Sequence, residues 1–195
     1  MKKKILILAG GFSKEKEISL KTAKGVFNQI KKKYNVKIIE PNGHLIKNIR
    51  SFRPNVVFNA LHGRYGEDGY IQSILESEKI KYTHSGVLSS SIAIDKEISK
   101  KIFSKNNILT PKYIKFKFNK LIKKKGLIKK IKSKLGFPVV IKPFNEGSSV
   151  EVYICNKKNF FKNLQKLSSY KEIMIEQYIG GREIQVAILG KKKIR

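Results

Sequence analysis

Cysteine is almost absent: Cys155 is the single one in 195 residues. No intramolecular disulfide can form, which fits a reducing compartment. Cys155 itself stands in the apolar stretch VYIC and reads as a small buried hydrophobe. Long apolar runs are missing as well. No stretch approaches the roughly 18 apolar residues of a membrane span. The apolar segment Ile5–Ala9 is too short for the core of a secretory signal, and charges follow it at once. The expectation is a soluble, cytoplasmic protein without a membrane partner. The pattern GxxxxGK[ST] does not occur, which excludes a P-loop NTPase. Internal repeats and low-complexity linkers are not found either.

Acidic residues are scarce: 14 Asp plus Glu stand against 43 Lys plus Arg, for a formal net charge of +29. Such a charge points to an anionic partner, whether nucleic acid, membrane or phosphorylated substrate. The lysines are nevertheless spread along the chain, and Ile and Asn are abundant too. These three residues share A/T-rich codons, so nucleotide composition alone produces the pattern. Runs such as Lys31–Lys33, Lys123–Lys125 and Lys191–Lys193 then read as solvated faces or element ends. A nucleic-acid binder also needs a module with interleaved aromatics. None is present, so nucleic acid is not the expected partner.

What is present is alternation. KILILA reads as a buried strand, followed by GGFS and then by positions Ile18, Thr22 or Ala23, Val26 and Ile30 at a helical period. VKIIE and NVVFNA read as two more strands. LHGRYGEDG is a loop, YIQSILESE a short helix and KYTHS a fourth strand. Strands alternating with helices imply right-handed crossovers and a parallel sheet. In such sheets ligands sit beyond the carboxyl ends of the strands, where the Gly-rich loops at 10–11 and 63–69 fall. SSSIAIDKEISKKIFSKNNI, from Ser89, reads as one helix with Asp95 as an N-cap. The remainder reads as mixed α+β. KYIKFKF is a half-exposed strand and 119–134 a Lys-rich helix. FPVVIKP and VEVYIC are strands, NFFKNLQKL is a helix, and EIMIEQYI and EIQVAIL are strands around GGR. A boundary is expected near 92–110.

Three stretches carry possible chemistry. In KPFNEGSSVE, Lys142 closes an apolar strand, and a loop of small residues follows. An ammonium with free backbone N–H groups and hydroxyls makes the parts of a phosphate cradle. An ordinary turn with a solvated lysine fits the same stretch. Lys96 stands in the first turn of its helix, where the dipole disfavours a cation unless an anion binds there. A surface lysine in a Lys-rich chain fits equally. In GGFSKEKE, Glu15 and Glu17 favour the dipole of the first helix, with Ser13 as a cap. Alternatively, Glu15 pairs with a substrate ammonium at the sheet's carboxyl edge. His62 and the glycines of LHGRYGEDG read individually as turn residues.

In order, the segments AGGFSKEKEISL, NALHGRYGEDGYIQSILE, YTHSGVLSSSIAIDKEISK, FPVVIKPFNEGSSV and IMIEQYIGGREIQVAILG resemble the D-alanine–D-alanine ligase family of the ATP-grasp superfamily. The resemblance implies an α/β fold: an N-terminal parallel-sheet pre-ATP-grasp domain over 1–93 and a truncated α+β ATP-grasp domain over 94–195. It implies ATP as the nucleotide and D-alanine as substrate. Lys96 and Lys142 match the lysines on the ATP phosphates. Gly147, Ser148 and Ser149 match the loop that closes over them. Glu176, Gln177, Tyr178 and Ile179 match the segment holding adenine largely through backbone groups, and Glu183 matches the acid on the ribose hydroxyls. Glu15 matches the residue facing the first D-alanine's ammonium, Ser148 the hydroxyl bonded with it, and His62 a histidine near the substrate. The implied reaction is ligation of two D-alanines through an acyl phosphate, for peptidoglycan synthesis. It requires neutralised phosphoryl charge and excluded water, which a small mobile loop beside Lys142 would supply.

Two departures stand out. Glu151 occupies a position where the family has a small residue, and it is expected to point outward or form a local salt bridge. His84 stands where glycine is common. The family's metal-binding carboxylates and asparagine, an arginine and the tyrosine that partners Ser148 match nothing before residue 195. The Mg2+ or Mn2+ site is therefore expected outside this chain. The expectation is an N-terminal piece, inactive alone and homodimeric at full length. D-lactate or D-serine as second substrate is an alternative.

Overall fold

A computed structural model describes residues 2–118, 124–147, 151–188 and 190. The first half alternates as β1 (Lys4–Leu8), α1 (Lys16–Ile30), β2 (Asn35–Ile39), α2 (Leu45–Phe52), β3 (Val56–Asn59), α3 (Tyr70–Ser77) and β4 (Lys81–Tyr82). The strands form one parallel sheet in the order β2-β1-β3-β4. The chain leaves β1 in one direction, to β2, and then crosses back over β1 to β3. Right-handed crossovers therefore place α1 on one face and α2 and α3 on the other. The cores agree with this. Ile7 and Ala9 pack with Ala23 of α1, while Leu6 and Leu8 pack with Leu45 and Ile49 of α2 and Ile71 and Leu75 of α3. Successive residues of β1 serve opposite faces, which is why KILIL is apolar without alternating.

Helix α2 is absent from the sequence reading. Its signal is Leu45, Ile49 and Phe52 at helical spacing, with Leu45 and Ile49 buried. The single helix expected from Ser89 is two, α4 (Val87–Ile94) and α5 (Lys96–Lys105). Asp95 separates them in an extended conformation and caps α5, its Oδ1 accepting from the N–H groups of Glu97 and Ile98 at 2.8 and 3.0 Å. Asp95→Ala is expected to cost about 1 kcal/mol, measurable as a lower urea midpoint.

The second sheet is antiparallel, in the order β5-β8-β6-β7, from β5 (Tyr113–Lys117), β6 (Val139–Pro143), β7 (Tyr153–Cys155) and β8 (Glu172–Gln177). Alternation gives it two unlike faces. Ile114, Phe116, Val139, Ile141, Cys155, Ile173 and Ile175 turn to a core closed by α6 (Lys124–Lys134) and α7 (Phe160–Lys166) through Ile131, Phe160 and Leu164, with Leu135 just past α6. The other face carries Lys115, Lys142, Glu172 and Glu176, and α5 lies along it: Lys115 pairs with Glu97 at 2.8 Å. Residues 119–123 of the expected Lys-rich helix lie outside the described residues.

The strand expected in EIQVAIL is not formed at 183–188. Ile184, Val186 and Ile188 are exposed. A strand requires a partner ladder, and none of the described residues pairs with this stretch, so its alternation stays without a sheet. Among the described residues no helix is long and apolar enough to cross a membrane.

Candidate functional site

The order of the parallel sheet reverses between β1 and β3, and the loops leaving their carboxyl ends meet there. Buried polar side chains hold both loops. The Gly10 N–H donates to Ser19 Oγ at 2.8 Å. Asn59 Oδ1 accepts from the Leu61 N–H, and its Nδ2 donates to the Gly66 carbonyl at 2.8 Å. Gln72 Nε2 donates to that same carbonyl at 2.8 Å. Gly66 is obligatory on space grounds, because a Cβ there would stand 2.3 Å from Leu61 Cβ. This bracing presents His62 and Glu67. His62 Nδ1 lies 3.6 Å from Glu67 Oε1, and the Gly63 N–H donates to Glu67 Oε2 at 2.9 Å.

Glu15 is the N-cap residue of α1 and is 4% exposed. Ser13 does not cap the helix; its Oγ accepts from the Glu15 N–H at 3.2 Å. Glu15 Oε1 and His62 Nε2 are both buried without a hydrogen-bond partner among the described residues. Buried polar atoms of this kind are rare without a ligand to satisfy them. His62, but not Glu15, also lines a cavity of about 750 Å³, with Gly10, Phe12, Leu61, Tyr65 and Tyr70 among others.

The lysines come from the second sheet and from α5. Lys142 and Glu176 sit on the same face of adjacent strands, and Lys142 Nζ lies 2.5 Å from Glu176 Oε2. The other carboxylate oxygen, Oε1, lies 2.5 Å from Lys100 Nζ. Lys96, one helical turn before Lys100, donates from Nζ to the carbonyls of Phe144 (3.1 Å) and Glu146. Burial first, and then the positive charge of Lys142, push the Lys96 ammonium below the usual lysine range. A bound polyanion would reverse that balance. The sequence singled out Lys96, Lys142 and the Glu176 backbone, but not Lys100, Glu67 or the Glu176 carboxylate. The four-residue spacing from Lys96 to Lys100 was the available signal, hidden among many lysines.

The loop after β6 joins the two groups. A Cβ at Gly147 would lie 3.5 Å from Glu15 Oε2 and 3.7 Å from Glu67 Oε2. Ser148 and Ser149 lie outside the described residues. Glu151 forms a local salt bridge, its Oε1 2.9 Å from Lys14 Nζ, and its Oε2 accepts from the Tyr170 hydroxyl. These partners, Tyr170 first and then Lys14, hold its carboxyl below the usual range. His84 adopts a left-handed φ of +83°, a conformation natural to glycine. Gln177 is half-buried at the end of β8, whereas Tyr178, Ile179 and Glu183 are exposed. Among the described residues no hydrogen bond or ion pair links those three to the lysine cluster. Nor do any three of His, Cys, Asp and Glu gather there as a metal donor set.

The family model for the D-ala D-ala ligase C-terminus matches residues 102–195. A D-alanine--D-alanine ligase of Pelagibacter ubique (strain HTCC1062) is 64% identical over all of this chain. Over its whole length the chain is similar to D-alanine–D-alanine ligases. It spans 64% of the Pelagibacter relative's length. The solved D-alanine--D-alanine ligase of Bacillus anthracis complexed with ATP is 34% identical, with a TM-score of 0.74 over 92% of this chain and 60% of that one. The VanG D-Ala:D-Ser ligase of Enterococcus faecalis is 27% identical, with a TM-score of 0.76 over 100% of this chain and 68% of that one. The mixed α/β architecture is thus that of the ligase family's ATP-grasp fold.

Proposed function

We propose that this chain provides the first-substrate and triphosphate-binding parts of an ATP-dependent ligase that joins two D-alanine molecules through an acyl phosphate, for peptidoglycan synthesis. One observation carries the reading. Lys96 donates to the carbonyl of Glu146, next to the Gly147 that stands beside the Glu15 and Glu67 carboxylates, and Lys142 lies in β6, the strand this loop leaves. Phosphate and amino acid would thereby be held against each other, which is what acyl-phosphate formation requires.

In this reading Lys96 and Lys142 neutralise the phosphates, and Gly147 with Ser148 and Ser149 covers them. Glu15 receives the ammonium of the first D-alanine, and the unsatisfied oxygen it buries is the group such an ammonium would meet. Ser148 and His62 complete that end. Glu176 through Ile179 hold adenine through the backbone, and Glu183 the ribose. The family's Mg2+ or Mn2+ has no matching donor set among the described residues, and no step here runs through a metal. The division into 1–93 and 94–195 is supported by the separation of the two sheets, which lie within 4–82 and 113–177. A cytoplasmic setting is supported by the lone, buried Cys155. Homodimer formation rests on the resemblance alone. The readings with D-serine or D-lactate as second substrate draw support from no described residue.

Calorimetric titration with ATP tests the proposal. Lys142→Ala is expected to weaken ATP binding at least about tenfold, since a charge-assisted phosphate contact is lost. The exposed Lys129→Ala is expected to change nothing. Equal affinity in both variants overturns the reading. Tight duplex DNA binding that collapses with salt and ignores Lys142 would favour a nucleic-acid binder instead.

A further inference from the structure

Neither Lys100 nor the Glu176 carboxylate has a part in the roles above, where Glu176 serves through its backbone, yet they form the most enclosed ion pair among the described residues, with side chains 8% and 9% exposed. Lys100 is itself buried, with 6% of the residue exposed. Its Nζ also donates to Thr110 Oγ1 at 2.7 Å and lies 5.5 Å above the Tyr113 ring. Lys142, at 19% exposure, holds the other oxygen of the same carboxylate.

Glu176 fixes the direction of the Lys142 ammonium, but a lysine paired alone with a glutamate forms a neutral unit that attracts a polyanion weakly. A second ammonium on the far oxygen changes the balance. Two cations and one anion leave one net positive charge, and the exposed member of the three is Lys142. We infer that Lys100 is a positioning residue for nucleotide binding, offsetting the Glu176 charge so that Lys142 is both oriented and electrically uncompensated toward phosphate. The inference rests on the ATP reading of the site. It differs from a packing role in one respect: removing Lys100 does harm because Glu176 remains.

The test uses the 195-residue chain with ATP and inorganic triphosphate as probes, titrated at one fixed salt concentration. Lys100→Met is expected to weaken both probes about tenfold, whereas Lys100→Met/Glu176→Gln returns to within about threefold of the unsubstituted chain, because the liability and its remedy leave together. A double variant at least as weak as Lys100→Met overturns the inference, since packing losses accumulate. So does Lys100→Met with unchanged affinity. Should Lys100→Met fail to fold by circular dichroism, the double variant decides alone, because a neutral pair replacing buried ions is commonly tolerated. Affinity within about threefold then supports the inference, and a loss of about tenfold overturns it. If the unsubstituted chain binds neither probe, the ATP reading itself falls, and this inference with it. If that chain binds and Lys100→Met matches it, only this inference falls.

Discussion

Glu176→Leu lowers the unfolding free energy by about 3–5 kcal/mol, the larger of the two main effects expected here. The carboxylate is shared by two ammonium groups at 2.5 Å each. Lys100 is enclosed by Thr110 and Tyr113 and cannot turn to water. Deleting the carboxylate therefore strands one buried cation and places a second beside it, with Lys96 close enough to be perturbed by Lys142. Both burial and like-charge proximity then oppose the charged forms. Urea denaturation followed by circular dichroism reads the effect. Lys100→Met/Glu176→Leu is expected to recover most of the loss, because buried ion pairs replaced whole by apolar residues cost little. A loss under about 1 kcal/mol in the single variant would place this carboxylate among ordinary surface pairs.

Gly66→Ala is expected to cost about 2–4 kcal/mol and to weaken first-substrate binding together with stability. The added methyl would stand 2.3 Å from Leu61 Cβ and 2.9 Å from the Leu61 carbonyl carbon, so no rotamer change relieves it. The Gly66 carbonyl accepts from both Asn59 and Gln72, and a retreating backbone gives up those buried bonds. The same turn carries His62 and Glu67. Gly43→Ala is the control, because nothing lies within 4 Å of a Cβ there, and it is expected to unfold with the parent. Equal midpoints for the two variants would mean that the turn at 61–67 yields without cost.

How much was legible in the sequence differs by element. The parallel half was readable because KILIL and NVVFNA are strands buried on both faces, and such strands are apolar throughout. The loops at 10–11 and 63–69 followed, since sheet topology dictates where strand ends meet. Helix α2 escaped because its eight residues carry only four apolar marks, of which Leu45, Ile49 and Phe52 keep the helical spacing. The break at Asp95 escaped in part: the residue was readable as a cap, but the apolar positions on either side keep one period across it. The alternation in EIQVAIL was read correctly as a pattern and wrongly as a strand, because a pattern does not supply the neighbour that a ladder needs. Within the site, Lys96 and Lys142 were named from motifs. The Lys100–Glu176 link spans 76 positions, and only the packing of α5 against the polar face of the second sheet brings it together. Glu151 was expected either to point outward or to form a salt bridge; the second is observed, with a partner 137 residues earlier that the sequence did not indicate.

That tie between Lys14 and Glu151 has a consequence for how the molecule responds to its solvent. It joins the turn before α1 to a residue two positions before β7, and its lysine lies largely in water. Dissolved ions screen such an exposed pair, with a Debye length of about 8 Å at physiological strength, whereas they do not weaken the apolar layers behind each sheet and excluded salts strengthen them. Ionic strength and heat thus attack different places: brine slackens the stitch between the two halves, and warming undoes the halves themselves.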